Sequence, residues 1–487
     1  MSKKEKLAGI VGAGNVSDKP ETLEAYSRDQ SFVRPMKPWF VVKPQNGEQV
    51  QEIVKWANET ATPLVPVSSG PPRSYGDTVP SATAAVIVDL SGMKKILKID
   101  RRNRMIAIEP GVTYGELQPE LAKHDLILPN PLLPKAGKSV VASLLERQPT
   151  LIPKYQWALI DPLRCVEVVW GNGDRFMTGD AGNYASLLDA WDNKHPPLSP
   201  SGPSQVDYIR LVTGAQGSMG IVTWAALKCQ VLPRFHKLFF VPSRSLKDLI
   251  DFTYRVLRLR FGDEILVLNS ANLASILKGD FEGIRALQGN LPPWVFLVGI
   301  AGRDILPRER VESQEKDIRD IAQQFGLQLL PAISGAQDGE VLSAVLNPSR
   351  EPHWKTRYKG GCQDIFFVTT LEKTPEFVKT VYSLAEALNY PSSDIGVYLQ
   401  PVHQGASCHC EFNLPFNPAN RQEVARTGEL FARASEELQK QGAFFSRPYG
   451  IWANMAFNRD ARSTIVLKKL KDIFDPNHVM NPGKLCF

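Results

Sequence analysis

Two places in this chain hold residue types that could do chemistry. The first is Leu64-Val-Pro-Val-Ser-Ser-Gly-Pro-Pro-Arg-Ser-Tyr-Gly-Asp77. A turn built from small residues and prolines points several backbone N–H groups one way, which makes a nest for anionic oxygens. Arg73 adds a fixed positive charge beside it. The stretch reads as a pyrophosphate-binding loop, although the same composition serves an ordinary strand connection, and alone it favours that plainer reading. The second place is Cys408-His-Cys-Glu-Phe-Asn-Leu. On a strand Cys408 and Cys410 share one face and His409 takes the other. The remaining cysteines, Cys165, Cys229, Cys362 and Cys486, are scattered, and no spacing suits zinc or iron–sulfur ligation, so no metal is expected. Gly12-Ala-Gly-Asn-Val lacks the third glycine of a dinucleotide fingerprint and follows no strong strand.

The elements around the loop are short. Trp39 to Pro44 reads as a strand, Glu48 to Thr60 as an amphipathic helix (Val50, Ile53, Val54, Ala57), and Pro63 to Val67 as the strand entering the loop. Further strands follow at 85–90, 95–100 and 105–111. Helices are expected at 113–124, despite Pro119, and at 139–147. Gly-Asn-Gly-Asp at 171–174 closes a hairpin, and Gly214 to Leu232 opens in glycines and becomes a strand. The pattern is α+β. From Pro233 it changes to strands near 237–241, 295–301, 366–370, 397–402 and 407–414, separated by helices at 246–257, 308–325, 375–388 and 418–441. That order suggests one sheet covered by helices on one face.

A chain of 487 residues has room for two or three domains. Its 57 basic and 51 acidic residues leave a net charge of +6 without a basic block, which argues against nucleic-acid and membrane-surface binding. No apolar run is long enough for a leader or a span, and free thiols suit a reducing compartment, so a cytoplasmic protein is expected.

Five stretches, in order, resemble the vanillyl-alcohol oxidase / p-cresol methylhydroxylase family of FAD-dependent oxidoreductases. They are Val67 to Gly76, Ile108-Glu-Pro-Gly-Val-Thr-Tyr-Gly-Glu-Leu, Ser139 to Arg147 running on through Pro153-Lys-Tyr to Glu167-Val-Val-Trp-Gly-Asn-Gly-Asp, Gln216-Gly-Ser-Met-Gly-Ile-Val-Thr, and Phe474-Asp-Pro-Asn-His-Val-Met-Asn-Pro-Gly-Lys. The resemblance implies a two-part FAD-binding domain, residues 1–232 completed by 447–487, with an α/β cap over 233–446 whose sheet is covered by helices. It implies that Ser68, Ser69, Gly70, Pro71, Pro72, Arg73 and Ser74 wrap the FAD pyrophosphate. Gly137, Ser139, Ser143, Glu146, Gly217, Ser218, Gly220 and Ile221 would line the adenosine and ribityl parts. Asn481 and Lys484 would close near the isoalloxazine or phosphates.

In the phenol-oxidising branch two tyrosines and an arginine hold the substrate oxygen. Tyr75 matches one tyrosine and Tyr449 the other; Gly450 stands where the arginine would follow, and Arg447 lies two residues earlier. The branch's aspartate is displaced, with Asp161 the nearest carboxylate. His409 is the candidate flavin tether and His403 the candidate catalytic base, since imidazole titrates near neutrality. Non-covalent FAD is the expectation. The implied reaction removes hydride from a small aromatic substrate, a para-alkylphenol or aromatic alcohol, and passes electrons to dioxygen, a cytochrome or another electron-transfer protein. A 2-hydroxy-acid dehydrogenase is the alternative, with Arg447, Arg357, Lys355 and Lys359 as carboxylate clamps and His403 with His409 as a metal-binding pair. An electron-relay or inactive subunit is the third reading. A homo-oligomer or a place in a complex is compatible with each.

Overall fold

The computed structural model describes residues 2–349, 351–457 and 461–487. Three sheets position the site. The first is four-stranded and holds the loop. Phe40–Val42, Val86–Asp89 and Leu64–Val67 run parallel, and Val16–Ser17 adds an antiparallel edge. The crossover is the helix Gly47–Thr60, started by the Asn46 side chain accepting from the Gln49 N–H and buried through Val50, Ile53, Val54, Trp56 and Ala57. These β-branched strands are buried, as a parallel pairing requires. The far edge of Leu64–Val67 is closed by the C-terminal segment: the Leu64 N–H donates to Val479 and the Asn481 N–H to Leu64, each at 2.8 Å.

The second sheet is antiparallel, in the order Ile96–Asp100, Met105–Ile108, Gly220–Lys228, Leu163–Trp170, Arg175–Met177. Tyr114–Ala122 and Val140–Leu145 pack on it through Tyr114, Leu117, Leu121, Val140 and Leu144. A reciprocal capping box between Thr113 and Glu116 starts the first of these helices, and Pro119 is accommodated within it.

The third sheet has six antiparallel strands: Phe235–Ser243, Trp294–Gly302, Ile265–Asn269, Gly396–Val402, Ser407–Phe416, Gly361–Thr369. The expectation of helices on one face needs correction. One face packs against Leu246–Arg258, Pro307–Gln324, Thr374–Ala387 and Arg421–Lys440. On the other face, Leu238, Phe240, Leu266 and Leu297 meet Ser270–Leu277, Phe281–Asn290 and Asp338–Leu346. In the strand 265–269 and the helix 270–277 the apolar residues are nearly continuous, which blurs the period, and the helices 281–290 and 338–346 carry glycines that weaken the helical signal. Alternation along Ser407–Phe416 puts Cys408, Cys410 and Phe412 into the helical core and turns His409, Glu411 and Asn413 to the opposite side. No helix among the described residues is long and apolar enough to cross a membrane.

Candidate active site

A cavity of about 540 Å³ opens between the three sheets. The loop Ser68 to Tyr75 forms one wall, Gly137, Lys138 and Glu146 a second, and Gly217, Gly220 and Ile221 a third. The outer strands of the six-stranded sheet supply the fourth.

The loop is held from behind and left open in front. The Gly70 N–H donates to Gly137 at 3.3 Å, the Ser139 N–H to the Ser69 hydroxyl at 3.2 Å, and Lys135 Nζ to the Pro72 carbonyl and the Ser74 hydroxyl, both at 2.9 Å. The N–H groups of Ser69, Arg73, Ser74 and Tyr75 donate to nothing among the described residues. Arg73 turns away: its guanidinium donates to the Ala25 carbonyl at 2.6 Å and lies over the Tyr26 ring. The cations beside the loop are therefore Lys135 and Lys138, which sequence reasoning missed. Burial lowers Lys135 to about 8, with Lys138 adding to the effect. Lys138 pairs with Glu146 and reaches over the Tyr75 ring.

Asn481 and Lys484 stand behind this wall. Asn481 Nδ2 donates to the carbonyls of Asp77 and Gln216, and Lys484 Nζ to those of Gly76 and Val79. Ser139, Ser143 and Ser218 are buried in the scaffold: Ser143 donates to Gln148 and Ser218 to the Ala215 carbonyl. Two glycines are fixed by space. A Cβ on Gly217, at φ +70°, would come within 2.4 Å of Pro66 Cγ, and one on Gly220 within 2.6 Å of the Val169 carbonyl.

At the sheet end of the cavity the phenyl ring of Phe366 is a hub. The Arg447 guanidinium lies 3.9 Å over it. Tyr75 meets it edge-on at 5.6 Å and Tyr449 at 6.2 Å, and the His409 ring lies tilted against it at 6.1 Å. Tyr75 and Tyr449 stack on each other at 4.9 Å. Arg447 is 5% exposed and makes no ion pair or hydrogen bond through its guanidinium among the described residues. A buried guanidinium without an acid is costly. Burial pushes both tyrosine phenols up, so each remains an O–H donor at neutral pH.

Beside the hub runs a charged row. Glu411 accepts from Lys355 at 2.5 Å, from Asn413 at 2.8 Å and pairs with His409 at 3.1 Å; Lys355 also reaches Asp364 at 2.7 Å. Burial opposes every charge here, but Lys355 and His409 hold Glu411 below its ordinary range. Asp364 and Glu411 together hold the Lys355 ammonium well above its own. Burial lowers His409 against the pull of Glu411. Glu411 is two residues past His409 on the same strand face, a period-two signal legible in the sequence. Lys355 comes from a separate turn.

His403 does not line the cavity: it sits at the turn between two strands, its Nδ1 3.1 Å from the Ser407 hydroxyl. Asp161 also lies elsewhere, accepting from the N–H groups of Trp157 and Ala158 and paired with Arg164. His403 and His409 form no metal-binding group, and none occurs among the described residues. Lys355 is neutralised by its two acids and Lys359 pairs with Asp394.

The residues present fit FAD. The loop offers open amides beside Lys135 and Lys138, which suits a diphosphate. Gly137 faces open space where a side chain would stand. The Thr78 hydroxyl lines the cavity, buried and unpartnered.

Residues 38–147 match the family model described as an FAD binding domain. The 4-cresol dehydrogenase [hydroxylating] flavoprotein subunit of Pseudomonas putida is 23% identical, over 99% of this chain and 94% of that one. The D-2-hydroxyglutarate dehydrogenase of Stutzerimonas stutzeri is also 23% identical, over 99% and 98%. The crystal structure of p-cresol methylhydroxylase with substrate bound has the same fold, with a TM-score of 0.83 at 20% identity over 99% of this chain and 96% of that one. With five motifs in order, a matching FAD-binding region and a shared fold, the chain is an FAD-dependent oxidoreductase that resembles the vanillyl-alcohol oxidase / p-cresol methylhydroxylase family.

Proposed function

We propose that this protein removes hydride from the benzylic carbon of a small phenol or aromatic alcohol whose oxygen is bound as an anion by Arg447, Tyr75 and Tyr449. The observation that carries this reading is Arg447: buried, packed on Phe366 and lacking an acid among the described residues. An anionic oxygen would supply the missing partner, and two protonated tyrosines would complete its hydrogen bonds. Phe366 and the tyrosine pair suit an aromatic ring.

Residues 1–232 with 447–487 would form the FAD-binding part and 233–446 the cap. The amides of Ser69 to Tyr75 would hold the pyrophosphate, with Gly137, Glu146, Gly217, Gly220 and Ile221 along the rest of the cofactor. FAD, when bound, supplies the hydride acceptor. The chain's own residues would orient the benzylic carbon toward it, exclude water, and stabilise negative charge on the substrate oxygen as the side chain is oxidised. Electrons would then pass to a separate acceptor: dioxygen, a cytochrome or another electron-transfer protein. The relative from Pseudomonas putida is named as a flavoprotein subunit, which is compatible with a partner.

Oxidation of a 2-hydroxy acid is the second reading, favoured by the same Arg447, which suits a carboxylate. It is weakened because Lys355 and Lys359 are already paired with acids and the two histidines are apart. Anaerobic mixing of the FAD-loaded protein with a para-alkylphenol, D-lactate or D-2-hydroxyglutarate decides. Bleaching of the flavin band by the phenol alone is expected. Bleaching by a hydroxy acid alone would transfer the assignment, and bleaching by none would favour an electron-relay subunit.

A further inference from the structure

The phenol reading leaves a proton without a destination. A neutral phenol that is to be held as an anion must give up its O–H proton, and a base lining the cavity can take it directly. Arg447 cannot take it, and the buried tyrosines are themselves protonated. Glu411 is held ionised by Lys355, with one oxygen on Lys355 and Asn413 and the other on His409.

Building on that reading, we propose that His409 is the group that accepts the substrate's hydroxyl proton, and that Glu411 and Lys355 are positioning residues that fix its tautomer. His409 is buried, lines the cavity, and packs against Phe366 and the Tyr398 ring. Its Nε2 faces a carboxylate, so Nε2 carries the hydrogen and Nδ1 the lone pair. Nδ1 has no partner among the described residues. In the step, the phenol O–H bond breaks, an N–H bond forms at Nδ1, and the electron pair stays on the oxygen beside Arg447. The resulting imidazolium lies against the Glu411 carboxylate, the arrangement that stabilises a protonated base in acyl-transfer triads.

The charges facing His409 set its working range. Glu411 on its own strand favours protonation. Lys355 from the turn below the sheet and Arg447 from the C-terminal segment oppose it, and burial opposes it more. Asp364 and Tyr398 face the same row from the neighbouring strands, Asp364 through Lys355. The imidazole is therefore neutral at pH 7 and ready to accept.

The test uses 4-nitrophenol, whose absorbance reports its ionisation without turnover, on the FAD-loaded protein and its variants. The wild type should bind it as phenolate well below its solution pKa. His409→Asn should still bind it, with ionisation moved to higher pH, and should slow flavin reduction by para-alkylphenols by about a hundredfold. Glu411→Gln, which lowers the basicity of His409, should move the acid limb of flavin reduction to lower pH without abolishing it. Phenolate formation in His409→Asn at the wild-type pH would overturn the assignment, as would FAD covalently attached to His409 in the denatured protein. Failure of 4-nitrophenol to bind the wild type would instead sink the phenol reading itself.

Discussion

Tyr75 and Tyr449 stack with ring centroids 4.9 Å apart and planes 20° from parallel. One leaves the loop beneath the proposed pyrophosphate site; the other leaves the segment that returns from the six-stranded sheet. Their contact makes the proposed substrate pocket a product of both ends of the fold. Tyr75→Phe keeps the stacked ring and deletes one O–H donor. Phenol-driven flavin reduction should slow about tenfold, the loss of one hydrogen bond to a charged group. Reduction by any hydroxy acid should be unchanged; an equal loss with both classes in stopped-flow measurements would remove Tyr75 from the phenol site.

Arg447→Met separates stability from binding. No acid among the described residues depends on Arg447, so its removal orphans no charge. The melting temperature should hold or rise, while binding of an anionic phenol weakens by about 2–5 kcal/mol. Calorimetric titration with a non-oxidised phenol beside a thermal scan would show it; parallel losses in both would make Arg447 a structural residue.

Asp77 predicts a pH dependence. Burial, reinforced by Glu146, raises its carboxyl to about 6 from an ordinary 3.8. Between those values the folded chain holds a proton that the unfolded chain has released, so this group's contribution to stability falls as pH rises from about 4 to about 6. Asp77→Asn should therefore raise the melting temperature of the FAD-free protein at pH 7, with the gain shrinking through pH 5 and vanishing below pH 4. A gain constant across that range would contradict it.

The glycines facing the cofactor space divide by consequence. A side chain on Gly137 meets no protein atom within 4 Å and projects into open space, so Gly137→Val should fold normally and lose FAD. Gly217→Val should lower the melting temperature even without FAD, because its Cβ collides with Pro66 at a positive φ. Flavin absorbance per chain and the FAD-free melting temperature distinguish the two.

His403→Asn tests the candidate base that lies away from the cavity. Asparagine tolerates the left-handed backbone at this position, φ 51°. Flavin reduction should stay within about threefold of wild type, a change no larger than a surface substitution brings. A hundredfold loss would restore His403 to the chemistry.

Most of the loop's scaffold was legible because its cues are local: short β-branched strands, the helical spacing of Val50, Ile53, Val54 and Ala57, the glycine hairpin. The loop and both tyrosines were legible through motifs in order. Lys355, Asp364 and Glu411 were not read together, because they meet only when a turn and two strands pair across the sheet, and a single sequence carries no register. Arg73 was read as the loop's charge because it is adjacent in sequence. Lys135 and Lys138 hold that place through a contact made by the fold. The helix 270–277 is largely buried and carries little of the polar stripe by which a helix is recognised, while Gly283, Gly289 and Gly339 weaken the helical signal of 281–290 and 338–346.

The hydrogen bonds from Lys484 to Gly76 and Val79 set an order of events in the cell. Lys484 and Gly76 are 408 positions apart. A ribosome adding about 5–20 residues per second needs roughly 20–80 s to cover that distance. During that interval the loop at residue 70 exists without its brace, and the edge of Leu64–Val67 without the strand-like partner at Met480. Cofactor capture would then be a late event in the birth of the molecule, following synthesis of the whole six-stranded sheet, and holdase protection of the exposed edge would matter most before it.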